Sequence, residues 1–253
     1  IKSNQPQFLE NFRCEWDGLR RLAATGPLRV PQPIAVGTSG PRAWLVLQWV
    51  DQGSMPSDYF EKFGRGLADL HRVTAGDRIG LDRDNFLGSA RQINAATPEL
   101  EAGDAALGDW ATFFAQQRIE FQLRWAVDQG LADASLRRNG GQIVRDMGKL
   151  LAGSDPSTSL LHGDLWSGNY LCDDRGDPVL IDPAVYYGNR EAEFGMLRLF
   201  GSCPPRFYDS YQEAFPLAEG WQRRVNVYVL YHLLNHLNLF GQGYHGQCRQ
   251  LAE

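Results

Sequence analysis

An apolar pair, Leu160-Leu161, runs into His162-Gly163-Asp164, and Asn169 follows after four further residues. Ten residues beyond Asn169 a second apolar run, Val179-Leu180-Ile181, delivers Asp182. This arrangement constrains the chain more than any other feature. Two carboxylates and one amide, each carried to the end of an apolar element, are hard oxygen donors or acceptors. Mg2+ prefers such ligands and takes one or two carboxylates, with substrate phosphates completing its shell. A lone Asp or Asn in a loop more often makes a turn or caps a helix. The three together, in this order and context, point to phosphate chemistry.

The spacing matches the phosphoryl-transfer template of protein kinases. There, H-R-D is followed after four residues by Asn, and later by the metal-binding Asp that opens D-F-G. In this chain Ile181-Asp182-Pro183 stands where D-F-G would be. The H-G-D form with I-D is typical of kinases acting on small molecules. On this reading ATP and Mg2+ are the cofactors. Asp164 accepts or orients the proton of the acceptor hydroxyl. Asn169 and Asp182 hold the metal between the β- and γ-phosphates. His162 reads as a scaffold under the loop rather than a base.

A chain of 253 residues allows one large domain or two smaller ones. Its 43% hydrophobic and 22% charged residues are ordinary globular composition. The net charge of -5 argues against broad attraction to nucleic acid or an anionic membrane. No apolar run approaches the roughly 20 residues that span a bilayer. Cys14, Cys172, Cys203 and Cys248 are scattered, with no CxxC pair. They read as reduced thiols of a cytoplasmic protein.

The first fifty residues read as mixed α/β. Phe8, Phe12, Glu15, Leu19 and Leu22 recur at helical steps, predicting a helix over 7–24 that ends at Gly26-Pro27. Residues 33–37 and 43–50 read as extended runs joined by turn chemistry, a hairpin. Beyond 51–53 the chain reads as mainly helical, with helices over 59–73, 110–129 and 221–240. Trp110, Phe113, Phe114 and Phe121 form a stripe expected to be core. Residues 159–183 read as strand, loop and strand. The expectation is an α+β chain of two lobes, 1–50 and 51–253.

Longer stretches carry a more specific resemblance. LLHGDLWSGNY, IDPAVYYGNREAEFGML and YHLLNHLNLFG resemble the fructosamine kinase (ketosamine 3-kinase) family. So do GLDRDNFLGS at 80–89 and DWATFFAQQRI at 109–119. The likeness covers nearly the whole chain. It implies a two-lobed protein-kinase-like fold, with a small mixed N-terminal lobe and a larger helical C-terminal one. It implies ATP-dependent phosphorylation of the 3-hydroxyl of a ketosamine, on a small molecule or a glycated protein lysine. That step destabilises the adduct and releases the amine.

The resemblance also implies roles for single residues. Lys2 resembles the strand lysine that contacts the phosphates, and Glu15 its ion-pair partner on the next helix. Gln48 and Val50 would offer backbone groups to adenine. Glu193 matches an acid that braces the catalytic loop, the alternative being a solvated helix residue. Trp166 either stacks on the acceptor or packs in the core. Tyr186 and Arg190 either line the acceptor site or pack. His232 and His236 stand four apart, a spacing that can bind zinc; the resemblance favours a cleft wall. The glycine-rich loop expected ahead of Lys2 is absent, so the natural chain is expected to begin earlier. Two other functions stay open: a kinase of an aminoglycoside- or choline-type amine, and an inactive nucleotide-binding module.

Overall fold

The chain opens with β1 (Lys2–Asn4), a single 3-10 turn, and α1 (Leu9–Thr25). The computed structural model describes residues 1–95, 106–201 and 203–253; the side chains of 106–109, including Asp109 of the 109–119 motif, lie outside the described set. Helix α1 stops at Gly26, whose left-handed backbone (φ 83°) suits glycine at a helix C-terminus. The predicted hairpin follows as β2 (Pro33–Ser39) and β3 (Arg42–Leu47), turning at Gly40. The sheet is antiparallel in the order β1-β3-β2, with Lys2 opposite Leu45. Phe12 of α1 packs on Ala43 and Leu45, which fixes the helix across one face of the sheet.

Helix α2 (Tyr59–Val73) matches its predicted limits and buries Tyr59, Phe63, Leu67 and Leu70. A Cβ on its Gly64 would stand 2.2 Å from the Phe207 carbonyl, so only glycine permits this approach. Next comes a hairpin that the sequence pattern does not predict, β4 (Asn85–Leu87) and β5 (Ala90–Gln92). The helix expected over 110–129 is interrupted. It comprises α3 (Ala106–Phe113), a π-helical segment Phe114–Glu120, and α4 (Phe121–Asp128). Helix α5 (Ala134–Leu150) is capped by Asp133, which accepts from the Leu136 N–H at 2.7 Å.

The segment 159–183 folds as nested pairs rather than one strand-loop-strand. Strands β6 (Ser159–Leu161), β7 (Tyr170–Cys172), β8 (Pro178–Leu180) and β9 (Tyr186–Gly188) pair as β6 with β9 and β7 with β8. The helices α6 (Glu193–Leu199), α7 (Pro205–Ala214), α8 (Trp221–Phe240) and α9 (His245–Ala252) complete the chain. Trp110, Phe113 and Phe114 are buried, as the core reading requires, whereas Phe121 is only half-buried and lines a surface cavity; all four cysteines are buried free thiols. Among the described residues no helix is long and apolar enough to cross a membrane.

Candidate active site

The nested pairs bring the two acidic motifs together. The Ile181 N–H donates to the Asn169 carbonyl at 3.0 Å, and the Ala184 N–H to the His162 carbonyl at 2.9 Å. The His162 ring is buried and lies 2.8 Å from the Ile181 carbonyl through Nε2. A carbonyl only accepts, so Nε2 carries the proton and the ring ties the two loops as a scaffold. Gly163 adopts φ 81°, and a Cβ there would stand 2.2 Å from the Ala184 carbonyl. The second position of the H-G-D motif therefore has to be glycine.

Glu193 is buried and braces this loop from below. Its carboxylate accepts from the His162 N–H at 2.6 Å and the Gly163 N–H at 3.1 Å. Buried His71 lies 3.7 Å from the same carboxylate and bonds the Tyr211 hydroxyl at 2.8 Å on its other side. Burial pushes the Glu193 carboxyl up, but His71, His162 and the backbone donors outweigh it and hold it below the ordinary value. The solvated alternative for Glu193 does not apply.

Asp164 and Asn169 meet above the brace. Asn169 Nδ2 donates to the Asp164 carbonyl at 2.7 Å and to Asp164 Oδ2 at 3.0 Å. Asp164 Oδ1 is buried with no hydrogen-bond partner. Burial raises the Asp164 carboxyl to about 7; the Asn169 bond opposes this, and Asp182 and Glu193 add to it. A base poised near neutrality suits proton transfer from an alcohol. Asp182 has φ 57°, the one left-handed non-glycine backbone among the described residues. Such strain gathers where function over-determines the fold.

Lys2 reaches this point from β1. Its ammonium lies 2.8 Å from Glu15 and 2.5 Å from Asp182. Burial works against the Lys2 charge, but Glu15 and Asp182 outweigh it and raise the pKa above its ordinary value. Near the strand end, the Gln48 N–H donates to the Gln32 carbonyl at 2.8 Å. Gln48 and Val50 are the residues expected to offer backbone groups to adenine, and the Gln48 N–H is already engaged by Gln32. Val50 is buried. The donors fit Mg2+. Asn169 spends its N–H2 on Asp164, which leaves Oδ1 as its acceptor. No group of three or more His, Cys, Asp or Glu able to hold a metal occurs among the described residues. Mg2+ needs no such cage where phosphates supply oxygens.

Two cavities meet at Asp164 and Gly88. One, of about 340 Å3, is lined by Phe12, Glu15, Phe86 and Asp182. The other, of about 360 Å3, is lined by Trp166, Phe200, His236, Phe240 and Tyr244, and Asp164 is its one acidic lining residue among the described residues. Half-buried Trp166 packs on Phe200 at 5.7 Å, and Phe200 on His236 at 4.9 Å. His236 Nδ1 lies 2.7 Å from the His232 carbonyl, so it donates there and Nε2 remains an acceptor.

Three expected cleft residues are elsewhere. Tyr186 is 2% exposed, stacked on Trp110 at 6.4 Å and capped by the Arg118 guanidinium at 4.4 Å. Arg190 is 1% exposed and donates to the Phe215 carbonyl at 2.7 Å and the Pro216 carbonyl at 2.5 Å. Both follow Asp182 in sequence, but β9 carries Tyr186, and the 3-10 turn Arg190–Ala192 after it carries Arg190, into the core. His232 is buried against Tyr231, outside the cavity that His236 lines. Phe200, Phe240 and Tyr244 were missed. Phe240 and Tyr244 continue the four-residue step from His236, a signal the sequence did contain; Phe200 had none.

The buried histidines set an acid limit on stability. Burial lowers His71 and His162, and takes His232 to about 3. The unfolded chain protonates these rings near pH 6.5, and the fold resists doing so. Their stability is therefore complete above about 6.5 and declines as pH falls toward the folded values. Glu193, also lowered, extends the loss below its ordinary value. The Tm is expected to drop by at least about 5 °C between pH 7.5 and 4.5; a flat profile would contradict the buried neutral rings.

An ion-paired lysine, a looped aspartate and a paired Asp–Asn, set between two cavities, define a phosphotransferase of protein-kinase-like fold. An aminoglycoside 2'-phosphotransferase shares that fold at 17% identity and TM-score 0.59, over 97% of this chain and 81% of its own. The family model for fructosamine kinase matches residues 1–253, and the chain belongs to that family. It is 38% identical to a probable ketoamine kinase of Synechocystis, over 100% of this chain and 81% of that protein. It is 37% identical to a chloroplastic protein-ribulosamine 3-kinase of Oryza sativa subsp. japonica, over 100% and 71%. The crystal structure of a fructosamine-3-kinase candidate from Haemophilus somnus superposes with TM-score 0.84 at 31% identity, over 99% and 81%.

Proposed function

We propose that this protein transfers the γ-phosphoryl group of ATP to the 3-hydroxyl of a ketosamine, a deglycation step. The observation that carries the reading is Asp164. Its unpartnered Oδ1 stands where an aromatic cavity meets the passage toward Lys2 and Asp182. The acceptor oxygen attacks the γ-phosphorus and its proton goes to Asp164. The bond to the β–γ bridging oxygen breaks and ADP leaves. Lys2 orients the phosphates, held in place by Glu15. Asn169 and Asp182 would hold Mg2+, which when bound offsets charge on the transferring phosphoryl group. In this reading residues 1–50 are the N-terminal lobe and 51–253 the catalytic and substrate lobe. The backbone of Gln48 and Val50 lies beside adenine. The protein works in the cytoplasm, where its four buried thiols stay reduced.

The acceptor cavity favours ketosamines over an aminoglycoside. A polyamine calls for several acidic groups, and among the described residues Asp164 is the one acid on a wall that is otherwise aromatic and aliphatic apart from Gly88 and Asn235. Aromatic faces suit a sugar ring and a single protonated amine. The test is ADP release by the full-length protein with Mg2+ on fructose-, ribulose- and erythrulose-lysine, beside an aminoglycoside and choline. Turnover confined to ketosamines is expected. Turnover of the aminoglycoside or choline instead would replace the reading, and ATP binding without any turnover would favour the inactive module.

Phe240 gives a second check at the cavity rim, since it is 66% exposed and its loss should not disturb folding. Phe240→Ala is expected to raise the ketosamine KM roughly three- to tenfold, with the ATP KM and the Tm unchanged. An unchanged acceptor KM would remove this rim from the acceptor site.

A further inference from the structure

Arg118 is fully buried on the π-helical segment, and no carboxylate lies within ion-pair reach of it among the described residues. Its guanidinium is instead walled by the rings of Phe113 at 4.7 Å, Tyr186 at 4.4 Å and Tyr231 at 5.7 Å. It donates to the Ile93 carbonyl and, at 2.7 Å, to Asn94 Oδ1. A buried, unpaired cation is costly. A π-segment inside a helix also often marks function.

Arg118 heads a chain of amides that runs in one sense. A guanidinium only donates, so Asn94 must present its oxygen to it. Asn94 Nδ2 then donates to Asn85 Oδ1 at 2.7 Å. Asn85 Nδ2 in turn donates to the Val185 carbonyl at 2.8 Å. Gln92 joins the chain through Nε2, which donates to Asn85 Oδ1 at 2.8 Å and to the Ala184 carbonyl at 3.0 Å. Its Oε1 accepts from the Tyr231 hydroxyl at 2.9 Å. The fixed donor at one end and the fixed acceptors at the other leave no amide free to flip.

The acceptors at the far end are the second and third carbonyls after Asp182. The Ala184 peptide is held on both sides, by the His162 carbonyl at its N–H and by Gln92 at its oxygen. The Gly80 and Tyr187 backbones also exchange hydrogen bonds at 2.9 and 2.8 Å, which docks the hairpin segment onto β9. Asp182 itself carries the strained φ of 57°. We propose that Gln92 and Asn85 are positioning residues that hold the backbone of Asp182 in its left-handed turn, and that Arg118 sets the sense of the amide chain. The inference rests on reading Asp182 as the metal-holding residue.

The test uses the full-length protein, with hydrogen–deuterium exchange and Mn2+ binding in the presence of ADP, followed by paramagnetic resonance. Gln92→Met keeps the volume and removes the donor to Ala184. Tyr231→Phe removes only the bond on the other side of Gln92. Gln92→Met is expected to speed exchange across 183–187 and to weaken Mn2+ binding, each by about tenfold. Tyr231→Phe should change both by less than about twofold while also lowering the Tm. Should Gln92→Met fail to fold, Asn85→Ser, which drops the bond to Val185, is read in the same way. Uniformly faster exchange along the chain, or equal effects from Tyr231→Phe, would overturn the proposal and leave a core network. Wild-type protein that binds no Mn2+ with ADP would overturn the reading of Asp182, while exchange at 183–187 still decides the positioning.

Discussion

Asp164→Asn is expected to lower kcat by about 10²–10⁴-fold, the usual worth of a positioned base, while ATP affinity stays within about threefold. The two side chains have the same shape. An asparagine oxygen can still accept from Asn169 Nδ2, as Asp164 Oδ2 does at 3.0 Å. The substitution removes the second carboxylate oxygen, buried and without a partner at the junction of the two cavities. Steady-state ADP release with a ketosamine, beside calorimetric ATP binding, separates chemistry from binding. A variant keeping more than about a tenth of wild-type kcat would remove Asp164 from the base role, because such terms are rarely that small.

Glu193→Ala carries the largest expected stability effect, about 3–5 kcal/mol. The substitution strands the His162 and Gly163 N–H groups, which now donate at 2.6 and 3.1 Å, inside a buried site. It also leaves His71 Nε2 without the carboxylate 3.7 Å away. An unmet buried donor costs about 1–3 kcal/mol each. At this chain length the loss corresponds to a Tm fall of roughly 10 °C. Glu193→Gln keeps an acceptor for one of the two N–H groups and should fall between wild type and alanine. Chemical denaturation of the three proteins orders them. A Glu193→Ala loss below about 1 kcal/mol would mean that another group supports the catalytic loop.

Legibility in the sequence followed the length scale of the signal. Helix α2 and helix α8 were readable at their limits because each offers an apolar stripe over four or more turns. The β2–β3 hairpin was readable from turn chemistry around Gly40. The 110–129 helix was readable as a helix, but its π-segment was not, since one added residue per turn leaves no mark in composition. The β4–β5 hairpin is only three residues per strand and carries Asn85 and Gln92 inward. Buried amides look like loop residues until their partners, here the Ala184 and Val185 carbonyls, are known.

By itself the sequence determined the order and spacing of His162, Asp164, Asn169 and Asp182. Those are local matters of which atoms a short loop can offer. It also determined that Trp110, Phe113 and Phe114 would be core, because helical periodicity places them on one face, though Phe121 of the same stripe is only half-buried. Only the tertiary structure decided which neighbours of that motif reach the cleft. Trp166 and His236 do, while Tyr186, Arg190 and His232 turn into the core. Facing is set by strand pairing and helix packing between residues far apart in the chain, and no local pattern encodes it. The same long-range packing makes Glu193 a buried brace, and makes Arg118 a cation held by rings and amides with no acid beside it among the described residues.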